Sequence, residues 1–296
     1  MTVQAGEGYI PVDGGRVWYQ IMGSGNAIPL LCLHGGPGFC HDYLETMADL
    51  SPERPVIFYD QLGCGNSERP TDPSLWIPER FVVELAQVRS ALGLDRVHIL
   101  GQSWGSMLLV DYILMKPKGV LSIVLASPCT SIPMWLSDTN RLRKALPREI
   151  QDVLDRHEAA GTLNSPEYQA ATTEYYKRHL CRMQPWPISM ERSMAKAGYS
   201  VYHTMWGPTE FNMTDGNLRY YDRTSRLHEI QIPALWTCGR FDEAQPETVA
   251  SYQNLLPDSE LVVFENSSHT AHLEERERYM QVIRGFLFKV ERNLSR

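Results

Sequence analysis

Four short apolar runs in the first 127 residues, "IPLLCLH", "PVIFYD", "RVHILG" and "VLSIVLAS", lack the alternating polarity of a half-exposed strand. A strand that reads apolar on both faces must be covered on both. Helical patterns separate these runs, at about His41–Leu50, Pro78–Leu92 and Ser106–Lys116. Strand–helix alternation of this kind predicts an α/β fold: a mostly parallel central sheet with helices on both faces. A hairpin signal, "EGYIPV" and "RVWYQIM" flanking "DGG", precedes it.

The pattern stops near Pro128 and resumes at Pro233 with "PALWTCG", "ETVASYQNLLP", "ELVVFE" and a closing amphipathic stretch, "EERERYMQVIRGFLFKV". Between them the chain reads as helices rich in charge and aromatics. Leu142, Leu146, Ile150, Val153, Leu154 and His157 follow helical spacing, divided by Pro147, and Ser165 is placed to cap the next helix. The expected organisation is a core of residues 1–127 and 229–296 interrupted by an all-helical insertion, 128–228.

"LGQSWGSML" joins the "RVHIL" run to a helical one, and Gly101–Gly105 match G-x-S-x-G. In a nucleophile elbow the serine sits on a tight strand-to-helix turn, and small residues two before and two after it let the turn close. Ser103 is therefore the candidate nucleophile. A hydroxyl needs a base to take its proton and a third group to orient that base. In this arrangement acid and histidine follow in chain order, each after a late strand. "RFDEAQP" offers Asp242 and Glu243; "NSSHTAH" offers His269 and His272. Asp242, three residues after Gly239, and His269, the first loop histidine, are the choices, with Glu243 and His272 as alternatives. The oxyanion donors are expected from the backbone of Trp104 and of "HGGPG", residues 34–38, with Gly36 preferred. No HExxH is present, so neither a metal nor a cofactor is expected.

Lys and Arg number 28 against 35 Asp and Glu, for a formal net charge of −7, and no basic cluster suggests a nucleic-acid partner. No apolar run approaches the roughly 20 residues of a bilayer span, and the first residues lack the pattern of a signal peptide. The six cysteines are scattered without a CxxC pair. Free thiols in a reducing, cytoplasmic setting are the expectation.

Taken together, "HGGPG", "FYDQLGCGNS", "GQSWGSMLL", "GRFDEAQP" and "SSHTAHLEE" resemble the proline iminopeptidases and related L-amino-acid amidases, in order from about residue 34 to 275. The resemblance implies an α/β-hydrolase with a helical cap over its active site. It also implies removal of an N-terminal residue, often proline, from a small substrate or short peptide through an acyl-enzyme. In this family glutamates of the cap and of a loop bind the free α-amino group; Glu210 in "GPTEFN" and Glu243 match that pattern. The same triad would also serve an esterase, a lactonase or another small-molecule hydrolase.

Overall fold

Asp13 and Gly14 turn the chain between β1 (Gly6–Val12) and β2 (Gly15–Met22), with Val12 opposite Gly15. Gly14 takes φ +94°, the left-handed region that a two-residue hairpin requires and that glycine enters without strain. The computed structural model describes residues 4–23, 25–213 and 215–294. The outer ends of the expected core segments, 1–3 and 295–296, lie outside them.

β3 (Leu30–Leu33) and β4 (Val56–Tyr59) are buried at every position, as their unbroken apolar reading predicts. Between them His41–Leu50 forms a 3₁₀ helix rather than an α-helix, wedged against both strands. After α1 (Pro78–Ala91) come β5 (Val97–Gln102), α2 (Trp104–Leu114) and β6 (Val120–Ala126). α2 starts two residues earlier than its apolar pattern suggests, because Gly105, a poor helix former, lies in its first turn. Nine of its eleven residues are buried, so it is an internal helix and not an amphipathic surface one.

The insertion follows: α3 (Ile132–Lys144), α4 (Arg148–Ala160), α5 (Pro166–His179), α6 (Ile188–Ala195) and α7 (Tyr199–Met205). Pro147 precedes α4, and the Ser165 hydroxyl accepts from Tyr168 N, so both predicted boundaries fall where their chemistry puts them. Leu146, Leu154, Tyr168, Ala171, Tyr175 and Phe211 form a small core of their own in this region. The chain then returns through β7 (Ala234–Gly239), α8 (Pro246–Leu255), β8 (Ser259–Phe264), α9 (Ala271–Glu274) and α10 (Arg276–Leu294).

The eight strands pair in the order β1-β2-β4-β3-β5-β6-β7-β8, antiparallel up to β4 and parallel from there on. β4 lies on one side of β3 and β5 on the other, so the strand order reverses at β3. Loops leaving the carboxyl ends of strands diverge at such a point and open a crevice. The "HGGPG" loop leaves β3 and Ser103 leaves β5, which brings both to the same crevice. All six cysteines are buried free thiols. Among the described residues no helix is long and apolar enough to cross a membrane.

Candidate active site

Ser103 alone turns the chain from β5 into α2, with φ 54° and ψ −122°. A non-glycine residue held there costs on the order of 1–3 kcal/mol, which neighbouring structure must offset. Ser103 N donates to Ala126 O at 2.9 Å, and the Ser106 hydroxyl donates to Ser103 O at 2.6 Å. A Cβ on Gly101 would lie 2.2 Å from Gly105 O, and one on Gly105 would lie 2.4 Å from Leu33 O. The turn therefore closes only with glycine at both positions. The Ser103 side chain makes no cap hydrogen bond to α2 and stands at the helix N-terminus, where negative charge is favoured.

The "HGGPG" loop lies directly on this turn: a Cβ on Gly35 would be 2.9 Å from Ser103 Cβ. Tyr43 holds the two together, its hydroxyl accepting from Gly35 N at 2.6 Å and donating to Gln102 Oε1 at 2.5 Å. Buried His34 accepts from Gln61 N at 2.9 Å and donates through Nδ1 to Gly35 O at 3.0 Å. Burial pushes its pKa down to about 4, so the ring is neutral. Gln61 in turn donates to His34 O and accepts from Trp104 Nε1 at 2.8 Å. Gly35, which precedes Gly36, and the Trp104 ring thus belong to one hydrogen-bonded framework, with the Trp104 amide at the open end of α2.

Asp242 follows β7 and His269 follows β8. His269 Nδ1 donates to Asp242 Oδ1 at 2.7 Å, and Ala244 N and Gly239 N also donate to that carboxylate, at 2.8 and 3.2 Å. Gln102 Nε2 and the Ser127 hydroxyl hold the His269 carbonyl at 3.1 and 2.9 Å. With Nδ1 committed, Nε2 is the nitrogen left for proton transfer. The alternative, His272, donates through Nε2 to Tyr43 O at 3.0 Å; burial lowers its pKa to about 4 and it belongs to the framework.

Glu243, the alternative acid, is almost fully buried, and neither carboxylate oxygen has a hydrogen-bond partner among the described residues. Its Oε1 lies 3.9 Å from His269 Nε2, and the Tyr175 hydroxyl faces it without closing a hydrogen bond. Burial first, then the charges of Glu210 and Asp242, push its pKa well above the ordinary glutamate range. Glu210 is buried too and accepts from the Tyr202 hydroxyl at 2.8 Å; burial raises its pKa to about 7. Two neighbouring buried carboxyls, one of them without a hydrogen-bond partner among the described residues, form an environment that a positive group would stabilise. Gly36, Ser103, Glu210 and His269 line one chamber of about 20 Å³, with Trp104 next in the chain, Asp242 behind the histidine and Glu243 beside it. All seven residues singled out in the sequence meet at this crevice.

A second acidic group, His41, Asp42 and Glu45, has metal-like spacing. Its charges are already balanced, since Asp42 pairs with Arg192 and Lys196, Glu45 with Arg192, and His41 with Asp60.

The sequence matches the model of the alpha/beta hydrolase fold over residues 28–276. It is 48% identical to a proline iminopeptidase of Heyndrickxia coagulans over 95% of this chain and 98% of that one. The structure superposes on a proline iminopeptidase of Mycobacterium smegmatis with a TM-score of 0.90, at 38% identity over 98% of this chain and 100% of that one. The chain belongs to the proline iminopeptidase family of α/β-hydrolases. It is equally similar to VinJ, with a TM-score of 0.93 and 38% identity over 96% of this chain and 99% of that one. Esterases and lactonases at about 20% identity share the fold.

Several residues that shape this proline iminopeptidase family site carried no assignment in the sequence. Gln61 stands within "FYDQLGCGNS" and Gln102 within the elbow itself. Their roles depend on partners 27 and 59 positions away, His34 and Tyr43, and no local pattern reveals them. Trp135 on α3 donates to Glu210 O at 3.0 Å and sets its ring edge-on to His269, with centroids 5.7 Å apart. The only hint was the aromatic richness of the insertion.

Proposed function

We propose that this chain is a serine aminopeptidase that releases the N-terminal residue of a short peptide or aminoacyl amide. Ser103 Oγ attacks the first carbonyl carbon as His269 Nε2 takes its proton, and Asp242 holds the ring and balances the imidazolium. The Gly36 and Trp104 amides receive the oxyanion. The C–N bond breaks, the leaving amine takes the proton from His269, and water releases the acyl group by the same steps. Glu210 and Glu243 bind the substrate ammonium, which anchors the first residue and excludes chains whose amine lies farther away. The helical segment 128–228 acts as a cap on the core of residues 1–127 and 229–296, and contributes Glu210. The buried free thiols support a reducing, cytoplasmic setting.

The observation that carries this reading is Glu243: a buried carboxylate with both oxygens unpartnered, beside a second carboxylate and a histidine. Burial favours the neutral acid there, and a cation would favour its ionised form; a free N-terminal amine is the cation that also brings its own carbonyl to Ser103. The test uses purified protein with prolyl, alanyl and phenylalanyl naphthylamides and p-nitrophenyl acetate. Aminoacyl hydrolysis that disappears in Ser103→Ala is expected. Ester turnover without aminoacyl turnover would overturn the amine reading, and failure of Ser103 to react with a fluorophosphonate would overturn the nucleophile.

A further inference from the structure

The chamber at Ser103 is small, about 20 Å³. A neighbouring chamber of about 350 Å³ shares Phe39, Leu180, Met194 and Glu210 with it, so these residues stand at the boundary between the two. An N-terminal residue bonded to Ser103 needs more than the smaller space, so it reaches toward the larger chamber past these boundary residues or displaces part of the wall. Most of that wall is pinned. Tyr43 and Gln102 are hydrogen-bonded to each other, Glu210 is held by Tyr202, and the Ser193 hydroxyl donates to Cys40 O at 3.1 Å.

Four side chains of that wall make no hydrogen bond: Phe39, a rigid ring set against Tyr202, branched Leu180, and the unbranched Met190 and Met194, both on α6. Four residues apart, the two methionines project from the same helix face. The helix beneath them is fixed to the core. Arg192 Nε and Lys196 Nζ each lie 3.0 Å from Asp42 Oδ1, Lys196 O accepts from Gly65 N at 3.1 Å, and Gly198 N donates to Gly38 O at 2.7 Å. Methionine has three rotatable side-chain bonds and a polarizable sulfur, and it fits itself to irregular space more readily than any branched side chain. The anchored backbone and the flexible side chains divide the work: the helix holds position while the thioethers move.

We propose that Met190 and Met194 are the movable wall that sets how large an N-terminal residue the site accepts, Met194 opening the small chamber into the larger one. This deepens the aminopeptidase reading and rests on it for the identity of the acyl group, though not for the size limit itself. Two substrate series test it: phenylalanyl against prolyl naphthylamide, and p-nitrophenyl hexanoate against acetate.

Shortening both side chains in Met190→Ala/Met194→Ala should raise the phenylalanyl-to-prolyl ratio of kcat/KM at least 10-fold and shift the hexanoate-to-acetate ratio the same way. Met194→Ala alone should give a smaller shift of the same sign, and it carries the test if the double variant does not fold, since Met194 is only half-buried. Met190→Leu/Met194→Leu keeps the volume but stiffens the wall, and should lower the prolyl-to-acetate ratio at least 5-fold. Unchanged ratios in the alanine variants, or an unchanged prolyl-to-acetate ratio in the leucine pair, overturn the proposal. If the wild-type protein turns over esters but no naphthylamide, the aminopeptidase reading falls and the ester ratios still decide whether the methionines set the size limit.

Discussion

His269 turns its Nε2 toward Glu243, 3.9 Å from Oε1, while Nδ1 on the other side of the ring is held 2.7 Å from Asp242. The same carboxylate is therefore near the proton shuttle and within the region assigned to the substrate amine. Replacing Glu243 by Gln removes one charge-assisted contact to the ammonium. We expect aminoacyl kcat/KM to fall about 10–100-fold, while turnover of p-nitrophenyl acetate changes much less. Glu210→Gln should behave alike. Steady-state kinetics on the two substrates check both, and equal losses would argue against amine recognition.

The two glutamates also burden the empty fold. Their folded pKa values lie above the ordinary 4.5, to about 7 for Glu210 and upward for Glu243. The folded state therefore holds more protons than the unfolded chain above the ordinary value. That stabilisation is fully present below about pH 4.5 and is lost as pH rises through 7. Glu243→Gln removes the share of this dependence that Glu243 contributes and leaves that of Glu210. The variant's Tm should exceed that of the wild type by roughly 2–4 °C at pH 8, and the gap should close at pH 5. A thermal melt series in matched buffers reads it.

Activity should run against stability over the same interval. An ammonium is bound best when the pair is ionised, so aminoacyl kcat/KM should rise with pH through an acid limb near 7, a macroscopic property of the coupled pair. Ester hydrolysis, which needs no amine site, should lack that limb, and Glu210→Gln, which removes one charge acting on Glu243, should move it to lower pH. Identical pH profiles for the two substrates would contradict it.

Gly105→Ala tests the elbow as geometry. Its Cβ would stand 2.4 Å from a main-chain oxygen that has nowhere to go, since β3 is buried on both faces. A loss of more than about 3 kcal/mol is expected, seen as failure to accumulate folded protein or as a collapse of the denaturant midpoint.

Tyr43→Phe tests the framework. It leaves Gly35 N and Gln102 Oε1 without the hydroxyl that joins them, at a cost of about 1–3 kcal/mol. The loop carrying Gly36 loosens, so kcat should fall by more than KM rises. Urea unfolding and initial-rate kinetics separate the two effects.

The legible parts of this molecule were those written in neighbouring residues. The buried strands announce themselves as unbroken apolar runs, and Gly101, Ser103 and Gly105 announce a turn because strand, glycine, serine, glycine and helix all occur within a dozen positions. Following chain order past late strands names Asp242 and His269, which the fold brings within 2.7 Å of each other. What could not be read belongs to distance. Nothing around Glu243 says that its oxygens lack partners, because that depends on Tyr175, Glu210 and His269 converging from three other elements. The early start of α2 was hidden because Gly105 weakens its apparent helicity, though Ser103 sets the boundary. Residues 41–50 read as helical and are, but in the tighter 3₁₀ form, packed between the sheet and α6.

β6 ends at Ala126 and its partner β7 begins at Ala234. The whole helical excursion is thus threaded between two strands that must lie side by side. On a ribosome, Ser103 and the loop that carries Gly36 emerge early, while the acid and the histidine lie in the last quarter of the chain. The half-made protein has a serine with no base beside it and a sheet with an unpaired edge. On the proposed assignment, reactivity and completed architecture therefore arrive together, late in synthesis.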